Sequence, residues 1–209
     1  MNYIIIISIF FSTTISPLFA KKIPGQIIRQ KDTLQVTFDI PTKMVGGQIS
    51  FDKIQNEVTF YSKNISKTLL PEDSVAFQFE YEGETIKFAS VDNTLKLGGK
   101  FTKNDKIFLR ILVDEPLKIY RYYYFSNKPG GITANQQMET GERNPLESMY
   151  IIQQVDKELI KIQERSFQKD MKAYFADCTD LFNLIENKEI TANDINKLLY
   201  NFKKYCLND

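Results

Sequence analysis

Histidine is missing from all 209 residues of this chain. Its absence removes the usual general base, the usual zinc ligand and the side chain that most often titrates near neutral pH. Cysteine is nearly as scarce, with Cys178 and Cys206 the two examples. They form no C-x-x-C pair for redox work, and two thiols without histidine make a poor zinc site. An excess of either charge is also lacking: Lys plus Arg is 27, Asp plus Glu is 26, and the net charge is +1. Nucleic acid, which needs a clustered positive field, is therefore not an expected partner. There is no Walker loop, EF-hand spacing, G-x-S-x-G elbow or dinucleotide glycine fingerprint. The short "KLGGK" at 96–100 reads as a turn. No cofactor and no metal are expected.

Long hydrophobic runs are confined to the start. "MNYIIIISIFFSTTISPLFA" carries an apolar run over residues 3–11, then a small and polar stretch with Pro17, then Ala20 ahead of Lys21 and Lys22. This reads as a secretory signal peptide over 1–20, cleaved after Ala20. An uncleaved membrane anchor is the alternative, although Ser12, Thr13, Thr14, Ser16 and Pro17 dilute its second half. No later stretch is apolar enough to span a bilayer, so the mature chain is expected to have no transmembrane span. The expected address is the periplasm, cell envelope or extracellular space. The partner there is unknown.

Residues 21–126 show strand after strand. "LQVTFDI" sets Leu34, Val36, Phe38 and Ile40 on one face against Gln35, Thr37 and Asp39 on the other. "GQISFD" and "NEVTFYS" repeat the two-residue period. "VAFQFEYEGETIKFASV" predicts a hairpin turning at Glu82-Gly83, preceded by one helical turn near Pro71. A last pair, "KIFLRILV" and "LKIYRYYYF", joins across Asp114, Glu115 and Pro116. About seven short strands in a row suggest an antiparallel β-rich domain, as a sandwich, a roll or a partly open barrel.

Composition changes at 127–148, where Gly, Pro, Asn and Gln predict a loop or linker. Residues 149–209 read as mostly helical. Within them 149–165 fits either one more hairpin around Asp156 and Lys157 or a helix carrying Ile151, Ile152, Val155, Leu159 and Ile162. Two later stripes predict a helical hairpin: Cys178, Leu181, Phe182 and Ile185 on one arm, Ile195, Leu198, Leu199, Phe202 and Cys206 on the other. "TAND" predicts Thr191 as an N-cap with Asp194 answering it. The fold class is therefore α+β, with the helical hairpin following the β domain. If the arms fold together in an oxidising compartment, Cys178 and Cys206 form a disulfide.

Two groups of polar side chains stand out. In a strand, Tyr120, Tyr122 and Tyr124 share one face, a possible ligand surface, while Arg121, Tyr123 and Phe125 share the other. Carboxylates gather at Glu80, Glu82 and Glu84 and at Asp114 and Glu115. They flank hairpin turns, where charge is solvated, and no catalytic residue is assigned.

Three stretches also carry a resemblance: "PGQIIRQKDTLQVTF" at 24–38, "LLPEDSVAFQFEYEGETIKFAS" at 69–90 and "KIFLRILVDEPLKIYRYY" at 106–123, together with the ending "YFADCTDLFNLIENKE". Through them the chain resembles a group of exported proteins of Bacteroidetes-type bacteria. It departs from that pattern at Gln26, where an aromatic is usual, at Lys31, where glycine is usual, and in lacking glycine after Val113. The resemblance implies export and a short-stranded fold, and no reaction. The expected function is a non-enzymatic envelope or secreted module, for binding or for structure. The alternative is a hydrolase-type enzyme using carboxylate, Tyr and Lys groups without His.

Overall fold

The computed structural model describes residues 20–43, 47–63, 65–98, 105–125 and 146–207. Among them, ten strands make one antiparallel sheet. The strands are β1 (Ala20–Ile28), β2 (Thr33–Pro41), β3 (Val58–Ser62), β4 (Ile65–Leu69), β5 (Ala76–Tyr81), β6 (Glu84–Asp92), β7 (Lys106–Val113), β8 (Lys118–Phe125), β9 (Leu146–Gln153) and β10 (Ile160–Lys161). Their spatial order is β10-β9-β8-β7-β6-β5-β1-β2-β3-β4. Helices α1 (Phe167–Tyr174), α2 (Thr179–Glu186) and α3 (Ile195–Tyr205) follow. The α+β class thus holds. Strand spacing leaves the β architecture open; the described residues form one continuous sheet whose outermost strands are β4 and β10.

The two-residue period explains the main core. Val36, Phe38 and Ile40 of β2 are buried with Phe77 and Phe79 of β5, Phe88 of β6 and Phe108 of β7. The rings touch in series: Phe38 lies 5.3 Å from Phe77, which stacks on Phe88 at 5.0 Å and meets Phe108 edge-on at 4.8 Å. Each such burial contributes on the order of 2 kcal/mol. Gly25 is required where β1 passes between β2 and β5. A Cβ there would run into the Gln78 carbonyl and the Phe38 ring.

The β5–β6 hairpin turns at Glu82 and Gly83, both with positive φ, as a two-residue turn matching the strand twist demands. The single 3-10 turn at Pro71–Asp73 also lies where Pro71 predicts one. Strand β4 escaped the sequence reading because its side chains are mostly exposed and polar. Such a short, lysine-bearing strand suits an open edge.

One predicted strand is absent. In "GQISFD" only Ile49 forms an isolated bridge, to Thr42, and residues 51–56 are turns. Burial wins over period here: Ile49 and Ile54 drop into the phenylalanine core and Gln55 is buried beside them.

The ambiguity at 149–165 resolves as a hairpin of β9 and β10 around Asp156. Ile151 and Ile152 decide it. Both are fully buried, one against Tyr120 and Leu109, the other against the helices. Neighbouring residues buried on opposite sides suit a strand covered on both faces. β9 also takes residues 146–148 from the expected linker, and residues 127–145 lie outside the described residues, as do 1–19 of the expected signal peptide.

The tail is three short helices where a two-armed hairpin was expected. Their apolar stripes pack with Leu117, Ile119 and Ile152 at the β8–β9 end of the sheet. Cys178 immediately precedes α2 and Cys206 immediately follows α3. They are joined in a disulfide, with Cα atoms 5.5 Å apart and a sequence separation of 28. The capping prediction needs correction. Asp194, not Thr191, occupies the N-cap of α3, and its carboxylate accepts bonds from the Thr191 backbone N–H (2.9 Å) and hydroxyl (2.6 Å). The Thr–Asp pair therefore closes the turn before the helix. Among the described residues no helix is long and apolar enough to cross a membrane.

Candidate functional site

The tyrosine face is placed first by register. β8 pairs with β9 along its full length, and Tyr120 stands opposite Ile151, Tyr122 opposite Met149, Tyr124 opposite Glu147. Tyr120 and Tyr122 are buried in a cluster with Leu97, Leu109 and Leu159, and Tyr124 packs at its rim. The 93–98 loop is what covers them. Asn93 holds it closed by accepting from the Leu97 N–H and donating to the Leu97 carbonyl. Tyr120 is 2% exposed, and burial, with the Asp114 charge and Tyr174 adding to it, pushes its phenol up to about 12. Burial also raises the Tyr122 phenol, opposed by a backbone hydrogen bond at Gly98. Tyr120 and Tyr122 thus form a core wall, while Tyr124 stays half-buried at its rim.

The carboxylates are placed apart. Asp114 pairs with Lys87 at 2.8 Å, Glu84 lies 3.7 Å from Arg110, and the Glu80 carboxylate accepts from the Thr85 hydroxyl. Alternation along β5 and β6 puts Glu80 and Glu84 on opposite faces, since Glu84 follows the buried Ile86–Phe88 side and Glu80 the Gln78 side.

The opposite face of β8 holds a feature that the sequence did not show. Strands β7 and β8 pair only from Val113↔Ile119 to Arg110↔Arg121, with a bulge between. Beyond the arginines the strands part, and the 51–56 turn enters the fork. Gln55 fills the missing ladder there: its carbonyl accepts from the Phe108 N–H at 2.8 Å, its side-chain oxygen accepts from the Tyr123 N–H at 2.7 Å, and its amide donates to the Tyr123 carbonyl at 2.9 Å.

At the crotch of this fork, Arg110 and Arg121 are direct cross-strand partners on one face. Aromatic rings hold each. The Arg110 guanidinium sits 4.8 Å from the Phe51 ring centre, and Phe51 stacks on Tyr123 at 4.9 Å. The Arg121 guanidinium lies 5.1 Å from the Tyr150 ring centre. Arg110 donates to the Tyr123 hydroxyl at 3.1 Å and Arg121 to the Tyr150 hydroxyl at 2.8 Å. Glu84, itself 74% exposed, is the one carboxylate within ion-pair distance of either arginine among the described residues. Arg121 Nε is buried with no hydrogen-bond partner among them.

Tyr150 and Ser148 also line a cleft of about 720 Å³ between β9 and the tail, together with Glu147, Gln163, Glu164, Arg165 and Asn193. An arginine inside "FLRIL" and another inside "YRYYY" were the available sequence signals. Their pairing was not readable, because a bulge sets the register. No protein-family model, curated protein or solved structure matches the chain.

Proposed function

We propose that the chain is an exported, non-enzymatic module of the envelope or extracellular space, serving to bind a partner or to build structure. The observation that carries this reading is the Cys178–Cys206 bond. Such bonds persist in oxidising compartments and are reduced in most cytosols. The leader-like N-terminus supports the same address. Because β1 is paired from Ala20 onward, a cut after Ala20 would leave the Lys21 to Ile28 pairing with β2 intact. The resemblance to exported proteins of Bacteroidetes-type bacteria points the same way. On the non-enzymatic side, Asp114 and Glu84 are held in separate ion pairs, and Glu80 and Glu84 take opposite faces of the sheet.

The test is expression of the full gene in an exporting bacterium, followed by N-terminal sequencing and intact mass of the exported fraction. A chain starting at Lys21, gaining two hydrogens on reduction, is the expected result. A chain starting at Met1 with both thiols free overturns the reading.

A further inference from the structure

We propose that Arg110 and Arg121 form a binding site for an oxyanion, the phosphate, sulfate or carboxylate group of a small molecule. The inference rests on the binding-module reading and names its ligand chemistry. Like charges directly opposite one another in a sheet are destabilising, and aromatic stacking leaves that repulsion in place. Here two guanidinium groups share one face and, among the described residues, a single, largely solvated carboxylate lies 3.7 Å from one of them.

Donors outnumber acceptors throughout the site. The Tyr123 and Tyr150 oxygens already accept from the arginines, so their O–H hydrogens point elsewhere, and neither has an acceptor among the described residues. Arg121 Nε–H is buried and has no partner among the described residues. Ser148, opposite Tyr123 on β9 and exposed, adds a hydroxyl. Guanidinium forks match carboxylate and phosphate geometry, and an anion placed here would satisfy donors that the described residues leave unanswered. The cleft lined by Tyr150 and Ser148 adjoins the pair through Tyr150, and with Glu147, Glu164 and Arg165 in its wall it would favour a remainder that is neutral or cationic.

The oxidised protein, as isolated from an exporting host, is titrated separately with inorganic phosphate, sulfate and acetate. Sodium chloride holds ionic strength constant, and the arginine Nε–H resonances are followed by NMR. A saturable shift of the Arg121 resonance is expected with at least one of the three. Phosphate or sulfate alone would identify a tetrahedral group, acetate alone a planar one. Arg121→Lys should weaken binding about tenfold or more, as read by calorimetry. Tyr150→Phe should weaken it several-fold, and Glu84→Gln, which removes the competing carboxylate from an exposed position, should tighten it. No saturable shift with any of the three overturns the site. So does an affinity that Tyr150→Phe and Glu84→Gln both leave unchanged, whether or not the Arg121 variant folds. An exported, oxidised protein that binds none of them loses this site and keeps the wider reading. A reduced cytosolic protein that binds them keeps the site and loses the reading.

Discussion

At the scale of single residues, Gln55 shows how one side chain can complete a sheet. It is 3% exposed, and its amide supplies both partners of the Tyr123 backbone where β7 has swung away. Truncation would bury an N–H and a C=O with nothing to bond. Each such orphan costs roughly 1 to 3 kcal/mol. Gln55→Ala should therefore lower unfolding stability by about 2 to 4 kcal/mol, measured as a shift of the urea midpoint. Gln55→Glu should cost a similar amount, because it removes the donor and places a charge in the core. None of this is visible in "DKIQNE", where Gln55 reads as an ordinary surface residue.

At the scale of elements, the tail depends on two clasps. The first is the disulfide, which closes a loop of 28 residues around α2 and α3. By chain-entropy reasoning a loop of this length contributes roughly 3 to 4 kcal/mol. Cys178→Ser with Cys206→Ser should lose about that much, read from denaturant unfolding under oxidising conditions, and wild type in reductant should match the double variant. The second clasp ties the β9–β10 turn to the end of α1. Lys157 donates to the Tyr174 carbonyl at 2.8 Å and to the Asp177 carboxylate at 2.9 Å, while the Tyr174 hydroxyl accepts from the Gln154 N–H at 2.8 Å. Lys157 holds the Asp177 carboxyl below its ordinary range. The apolar stripes of α2 and α3 were legible because helical periodicity is local. The Lys157 clasp was not, because it needs the hairpin and α1 already docked.

At the scale of the whole molecule, tyrosine links the sheet to its covers. Tyr120 and Tyr122 wall one cluster, and Tyr174 borders the helical one. Burial raises all three phenols, Tyr120 to about 12. A folded-state value above the unfolded one means that the stabilisation is complete below about pH 10. It is then lost as pH rises through the folded value, since only the unfolded chain releases these protons readily. Unfolding stability should thus fall between roughly pH 10 and 12, followed by near-ultraviolet circular dichroism, and the Tyr120→Phe variant should show a shallower fall. A Tyr120→Phe variant whose stability falls as steeply as that of the wild type would argue against this.

The sequence alone determined the α+β order, the β5–β6 hairpin and the pairing of β7 with β8. Each depends on local periodicity or on a turn residue whose backbone preference is its own. It left open the shape of the sheet and whether 149–165 is strand or helix, and it read 47–52 as a strand. Tertiary structure decided these, because Ile54, Gln55, Ile151 and Ile152 are fixed by what covers them. The arginine pair belongs to the same class. Alternation alone says which face of its own strand each arginine takes, but only the bulge and the fork between β7 and β8 set them opposite one another.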